Sequence, residues 1–303
     1  MPLTLGRRAA LLSALAMPAL AQERTRLFLL GTKGGPRVTP RERGPTAHVL
    51  IAGGVPYVID CGYGVVDKLV LVGVDLTQLR HIFITHHHSD HNIDYGTLFL
   101  LAWASGLKTR VDTWGPPPIE KMTRLAFELN AYDIGVRMEE EGRPDPRPLV
   151  VPHEFSVAGP VMQDANVRVT AALVQHGIVE PAFAYRFDTS DRSIVFSGDT
   201  KKSEDVIRLA QGADVLVHEA MYMPALDAML AKNPNAPTLR AHLLAGHTTA
   251  EEAGEVAAAA GVKQLVLSHL VPGDLSITDE MWIAEARKHY SGPIVVGHDL
   301  MEV

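Results

Sequence analysis

His86, His88, Asp90 and His91 lie within Thr85-His86-His87-His88-Ser89-Asp90-His91 and fit the pattern H-x-H-x-D-H, four metal-binding side chains in six residues. Imidazole nitrogens with a carboxylate suit Zn2+ or a similar borderline cation. The preceding run Arg80-His81-Ile82-Phe83-Ile84 is β-branched and aromatic, as befits a buried strand. The four side chains are therefore expected on the turn at a strand's carboxyl end, facing an open crevice. A histidine-rich solvated loop would have no reason to find partners further along the chain.

Such partners recur. His176 follows an apolar run at 169–174, Asp199 follows Ile194-Val195-Phe196-Ser197-Gly198, and His269 follows Leu265-Val266-Leu267-Ser268. His247 opens the loop before a helix that starts with a capping box, Thr249 with Glu252 three residues on, and stops at Gly261. A lone histidine is more often a surface or core residue, but placement at successive strand ends groups these. A two-metal hydrolase needs about three protein donors per open site, a bridging carboxylate and a water shared across ~3.5–4 Å. His86, His88 and His176 are expected to hold one ion and Asp90, His91 and His269 the second, with Asp199 bridging. Such ions lower the pKa of a shared water towards ~7 and supply hydroxide at neutral pH. Two Zn2+ per chain are expected, and Mn, Fe or Co suit the same nitrogen and oxygen donors.

The elements that must carry these residues follow from the apolar pattern. A strand at 26–30 is broken by the turn-rich Gly31-Thr32-Lys33-Gly34-Gly35-Pro36. Strands at 47–52 and 56–59 are joined by Gly53-Gly54, a hairpin signal. Helical character covers 65–71, an apolar helix is expected around 98–105, and a strand at 109–113 runs into the loop Trp114-Gly115-Pro116-Pro117-Pro118. A helix at 119–132 precedes an exposed connector at 139–152, where acid, glycine and proline accumulate. Strands then fill 154–174, 182–188 and 193–197, and helices at 203–209 and 249–260 alternate with strands at 215–218 and 264–268. Hairpins followed by strand–helix alternation predict two sheets with helices outside them.

Composition narrows the context. The chain has 303 residues, 47% hydrophobic and 21% charged, and no apolar run of membrane-spanning length. One cysteine, Cys61, excludes an intrachain disulfide framework and a thiolate-rich metal site. Residues 1–21 read as an export signal peptide: Arg7-Arg8, an apolar stretch from Ala9 to Leu20, then Ala19-Leu20-Ala21 as a cleavage site. The paired arginines resemble a twin-arginine signal, which implies a periplasmic protein whose mature part, 22–303, is one domain. Removal of Arg7 and Arg8, with no acid, takes the formal charge from −7 to −9. A protein that grips phosphates through basic side chains usually shows the opposite balance, so no nucleic-acid partner is expected.

Beyond these patterns the chain resembles the metallo-β-lactamase superfamily and, within it, the ribonuclease Z and zinc arylsulfatase branch. The resemblance runs from Leu27 almost to the C-terminus. It rests on Leu30-Gly31-Thr32, Ile59-Asp60-Cys61-Gly62, Ile84-Thr85-His86, Phe196-Ser197-Gly198-Asp199-Thr200, Val217-His218-Glu219-Ala220, Gly246-His247-Thr248-Thr249-Ala250 and Leu267-Ser268-His269. It implies an α+β fold, a four-layer αββα sandwich, with the dinuclear site at one edge of the sheets. It also implies that His247 gives a transition-state hydrogen bond or a proton with Glu219 orienting it, and that Asp90 is a ligand and a proton acceptor. Glu219 as a surface cap, His247 as a supporting residue and Asp60 as either an orienter of a ligand histidine or a turn residue remain open readings. His87 and His218 read as neighbours, and Lys33, Lys201 and Lys202 as solvated lysines near site-forming loops that would steer an anion.

Only 22 residues separate His176 from Asp199, too few for the tRNA-gripping arm that the resemblance would place there. With export and acidic balance, this favours a periplasmic hydrolase of small anionic esters, aryl sulfate or phosphodiester, over a tRNA 3′-processing endonuclease. A β-lactamase or lactonase of the same fold is the alternative, and a small-molecule carrier the non-enzymatic one. The stretch 222–245, rich in Met and Pro, reads as a lid, a homodimer contact or a helix without a substrate role. Elemental analysis of the purified protein checks the metal reading: about two ions per chain are expected, and fewer than one tightly held ion rules out a dinuclear centre.

Overall fold

The computed structural model describes residues 24–38 and 43–303. The expected export segment at 1–21 lies outside the described residues. Two seven-stranded sheets stack face to face, with helices on both outer surfaces. The first sheet is built from β1 (Arg26–Gly31), β2 (Ala47–Ala52), β3 (Val55–Ile59), β4 (His81–Phe83), β5 (Val111–Gly115) and β6 (Val150–Glu154) in that order. The second runs through β7 (Gly159–Gln163), β8 (Val167–His176), β9 (Val179–Thr189), β10 (Ser193–Phe196), β11 (Val215–Met221), β12 (Gln264–Val271) and β13 (Ile294–Val296), and β14 (Met301–Glu302) returns to pair with β1. Each sheet is antiparallel along one side and parallel along the other, from β3 to β6 and from β10 to β13. Parallel neighbours need crossover connections, and those connections are the helices.

Helices α1 (Val65–Leu71), α2 (Ser89–Asn92), α3 (Tyr95–Ala104), α4 (Ile119–Leu129) and α5 (Ala131–Glu140) belong to the first half of the chain. Helices α6 (Glu204–Leu209), α7 (Leu226–Ala231), α8 (Leu239–Gly246), α9 (Ala250–Ala260) and α10 (Asp279–Ala286) belong to the second. The four-layer αββα order is the one expected. Its cause is visible in β9, where Phe183, Tyr185 and Phe187 face the first sheet while Ala182 and Ala184 face the helices. A period of two sends aromatic bulk into the space between sheets and leaves a flat surface for close helix packing.

Several boundaries differ from expectation, each for a local reason. The strand expected at 109–113 extends through Trp114 and Gly115, because β6 pairs with it. The connector expected at 139–152 ends earlier: Val150–Glu154 is β6, the last strand of its sheet, where Pro152 is tolerated at an edge. The helix expected at 119–132 breaks at Asn130 into α4 and α5. The Gly53-Gly54 hairpin forms with φ of 56° and 76°, the left-handed pair of a type I′ turn.

Phe187 is fully buried between the sheets, edge-on to Phe83 at 5.1 Å and to Phe196 at 5.7 Å. Phe187→Ala is expected to cost ~3–5 kcal/mol of unfolding free energy by denaturant titration. Leu129→Ala, at a position 86% exposed, should stay within about 0.5 kcal/mol.

Candidate metal centre

The sheet ends that carry the predicted residues meet at one edge of the sandwich. Two polar backbone contacts beside the centre tie them together. The Phe183 N–H on β9 donates to Thr85 O at 3.0 Å, and the Tyr185 hydroxyl donates to Ile84 O at 2.9 Å. The turn after β4 is therefore fastened to the second sheet where its histidines begin. Gly198 has φ of 59°, and a Cβ there would fall 2.5 Å from Phe183 O, so only glycine lets the turn before Asp199 come this close.

Asp60, at the end of β3, adopts φ of 61° and is 2% exposed. Its Oδ1 accepts from the Thr85 N–H at 2.8 Å, and its Oδ2 accepts from His91 Nδ1–H at 2.8 Å. The Thr85 hydroxyl donates to Asp60 Oδ2 at 2.9 Å and accepts from His86 Nδ1 at 3.1 Å. A carboxylate that only accepts fixes both tautomers, so His86 and His91 present Nε2 to the cleft. Asp60 thus positions the rings of His91, directly, and His86, through Thr85. His176 is the last residue of β8, not a residue beyond it; its Nδ1–H donates to Gly246 O at 2.7 Å, which leaves Nε2 facing inward.

Three nitrogens converge: His88 Nδ1 is 3.1 Å from His86 Nε2 and 3.1 Å from His176 Nε2. Tetrahedral zinc with nitrogens at ~2.0–2.1 Å separates its donors by about 3.3 Å. Asp199 Oδ2 stands 3.8 Å from both His86 Nε2 and His176 Nε2. On its other side the same carboxylate meets the second group: Oδ2 lies 3.0 Å from His269 Nε2, and Oδ1 lies 3.4 Å from His91 Nε2. Asp90 Oδ2 completes that group, 3.4 Å from His269 Nε2 and 3.7 Å from His91 Nε2. All seven predicted metal residues are thus brought together, in the two groups expected, with Asp199 between them.

His269 is not beyond its strand but inside it. Glu219 pairs with Ser268 and Ala220 with Leu270, so His269 is an extra residue at a β-bulge, with φ of 44°. A bulge re-aims the side chain of its extra residue. Here it turns an imidazole into the cleft.

The buried atoms His91 Nε2 and Asp199 Oδ1 have no hydrogen-bond partner among the described residues. Burial pushes the His91 pKa down, yet Asp199, Asp60 and Asp90 outweigh it and raise it. His269 behaves likewise: burial opposes charge, but Asp199 helps lift it to about 10. The carboxylates demand positive charge at positions where aligned lone pairs could receive a cation. His86 is the converse, held well below its usual pKa by burial and by the His91 charge. The residues present therefore fit a pair of divalent ions.

Glu219 is buried on β11, where its Oε1 accepts from the Thr200 N–H and its Oε2 from His247 Nδ1–H at 2.6 Å. It is not a surface cap. His247, the residue after α8, lies 3.9 Å from Asp199 Oδ2, and burial, which lowers its pKa, is outweighed by Glu219, which raises it. His218 turns away and bonds Glu219 O, and His87 bonds Pro116 O. Lys202 pairs with Glu255, and Lys33 is buried and not solvated, its Nζ donating to Arg37 O in the cleft wall.

The cleft holds about 380 Å³ and is walled by residues 33–37 on one side and by α7 and α8 on the other. Two features of its walls escaped the sequence reading. Gly35 N–H donates to Asp90 Oδ2 at 2.7 Å, and His242 faces the histidine group from α8. An Asp recruited by a glycine amide has no pattern. His242 had one, a histidine five positions before His247, but it lay in a stretch without other polar periodicity.

Residues 57–270 match the β-lactamase superfamily domain. The chain belongs to the metallo-β-lactamase superfamily, and within it to the ribonuclease Z branch. It is 31% identical over 281 residues to Ribonuclease Z of Mycobacterium bovis, covering 91% of this chain and 97% of that protein. It is 32% identical over 279 residues to Ribonuclease Z of Mycobacterium avium, covering 91% and 96%. The fold is shared with the human tRNase Z short form, with a TM-score of 0.65 and 20% identity over 92% of this chain and 98% of that one. It is shared equally with the Bacillus subtilis metallo-β-lactamase fold protein YhfI, with a TM-score of 0.67 and 19% identity over 92% and 98%.

These relatives overturn the expectation of an arylsulfatase-like hydrolase of small esters with no nucleic-acid partner. The missing arm does not discriminate, because an alignment of 281 residues already spans 97% of a protein named Ribonuclease Z. Net charge misled for a different reason: it averages the whole surface, whereas a substrate meets only the groups at the cleft.

Asp60→Asn keeps the shape but weakens the acceptor behind His86 and His91. Zinc affinity by chelator competition is expected to fall ~10–100-fold, with an unchanged circular dichroism spectrum.

Proposed function

We propose that this chain is a metal-dependent ribonuclease of the ribonuclease Z type that hydrolyses a phosphodiester bond in precursor tRNA. The observation that carries the reading is the buried His247–Glu219 pair set beside Asp199 at the cleft, in a chain whose near-full-length relatives are named Ribonuclease Z.

His86, His88 and His176 would hold one ion and Asp90, His91 and His269 the other, with Asp199 shared. When bound, such ions act as Lewis acids on a phosphoryl oxygen and make a nucleophile available at neutral pH. Asp90 lines the cleft and takes the proton that the attacking water gives up as its oxygen bonds to phosphorus. His247 binds Glu219 through Nδ1, so Nε2 is the nitrogen left for the substrate. Glu219 holds that ring in place and favours its charged form, which stabilises negative charge growing on the phosphoryl group and returns a proton to the departing oxygen. On the opposite wall Gly34 packs directly on His269, where a Cβ would fall 2.6 Å from the ring.

The test is cleavage of a precursor tRNA carrying a 3′ trailer by the purified, zinc-supplemented protein. Chelator and Asp199→Ala should each abolish it, and His247→Ala should lower kcat by ~10²–10⁴-fold. Intact precursor after prolonged incubation, with ions bound, would sink the proposal.

We also propose that residues 1–21 direct export, on the support of Arg7-Arg8 and the apolar run after them; an exported chain would meet RNA phosphodiesters outside the cytoplasm, and the precursor-tRNA assay then reads its chemistry and not its cellular substrate. Fractionation of cells making the full chain decides this. Periplasmic protein beginning at Gln22 is the expected result, and full-length protein retained in the cytoplasm the contrary one.

A further inference from the structure

His242 projects from α8, and its ring centroid lies 5.8 Å from that of His88, 5.7 Å from that of His176 and 5.7 Å from that of His247. One of its nitrogens comes within 4.8 Å of a nitrogen on both His176 and His247. The neighbouring imidazoles are each committed on one side, His176 to Gly246 O and His247 to Glu219. His242 is not: among the described residues no hydrogen bond or ion pair engages its ring, which lines the cleft and is only partly covered.

Its placement is built, not incidental. The adjacent Leu243 is buried with Met221, Leu226 and Val271, so the helix carrying His242 is seated on the ends of β11 and β12, the strands that hold Glu219 and His269. Arg37 donates to Asn233 Oδ1 at 2.9 Å and joins the segment before α8 to the facing wall. An imidazole held over the centre, with its polar edge unspent, is suited to a ligand and not to the protein's own packing.

We propose that His242 is a catalytic residue that donates a hydrogen bond to a non-bridging oxygen of the scissile phosphoryl group, paired with the one from His247. Two N–H groups this close reach two oxygens of a single tetrahedral phosphate at ordinary hydrogen-bond lengths of ~2.8–2.9 Å. They leave the face towards His86, His88 and His176 free for the ions. This assignment rests on the phosphodiesterase reading above and extends it to a residue outside the two ligand groups.

The experiment compares wild type, His242→Ala and His242→Gln, each purified with its zinc, by titration calorimetry with inorganic phosphate and by elemental analysis. The Ala variant should bind phosphate ~10–100-fold more weakly, the range expected for a hydrogen bond to a charged group, with zinc content unchanged. The Gln variant, which restores an N–H at similar reach, should recover most of the affinity. Unchanged phosphate affinity in the Ala variant overturns the proposal. So does zinc lost with the ring, which would make His242 a ligand, and so does a Gln variant as weak as Ala, which would make its role one of shape. Cleavage of precursor tRNA by the wild type is read on the same preparation. Its failure while the phosphate result holds would retire RNA as the substrate and leave the phosphoryl contact standing.

Discussion

The centre depends on one buried carboxylate that faces two groups of imidazoles. Asp199 is 2% exposed, and its oxygens approach His86, His176, His91 and His269 with, among the described residues, no backbone amide or lysine to neutralise it. An ionised carboxylate taken out of water is costly unless opposite charge is close by. In the protein alone that charge is borrowed from protons, which is why His91 and His269 are driven above their ordinary pKa against the effect of burial. A divalent cation on either side of Asp199 answers the same demand with fixed geometry. Asp60 and Asp90 add to it from behind and from the side.

That arrangement is only as accurate as the joint between the sheets. The motif histidines hang from the first sheet, while His176, Asp199 and His269 come from the second. Aromatic packing of Phe83 against Tyr185 and Phe187 sets the sheet spacing. Packing alone is non-directional, however, and would allow sliding. The Phe183–Thr85 and Tyr185–Ile84 hydrogen bonds remove that freedom beside the centre, and the lack of a side chain at Gly198 lets the Asp199 turn close on the same strand. Two strained backbones, at Asp60 and His269, complete the aim of the donors. Strain of ~1–3 kcal/mol at such positions persists only where surroundings over-determine it, and here both residues are buried, Asp60 2% and His269 4% exposed.

What was legible in the sequence follows from this division. H-x-H-x-D-H is a local pattern: one turn and the start of α2 bring its residues together, so spacing alone declares it. His176, Asp199 and His269 were legible through apolar runs that end at a donor, since β8, β10 and β12 all run the same way and bring those ends to one edge. The fold class came from the same alternation of strands and helices. Strand β6 was obscured because proline and charge at a sheet edge resemble a loop. The bulge at His269 was hidden because register is a property of two strands, not of one. The substrate was misread because the absent arm and the net charge are features of the whole chain, whereas recognition is decided by a few groups at the cleft.

The walls of that cleft show why substrate is harder to read than chemistry. The seven donor residues are fixed in place by the joint between the sheets. The walls are a loop, 33–37, whose Gly34 N–H donates to Leu270 O on β12, and a helical insertion, α7 and α8, seated on the ends of β11 and β12. Yet both are tied to the centre by single polar contacts, Gly35 to Asp90 on one side and, through the end of α8, Gly246 O to His176 on the other. A change in either wall therefore bears directly on Asp90 or His176. Such coupling lets one constellation serve different substrates by altering the loops, while confining those alterations to shapes that keep Asp90 and His176 in place.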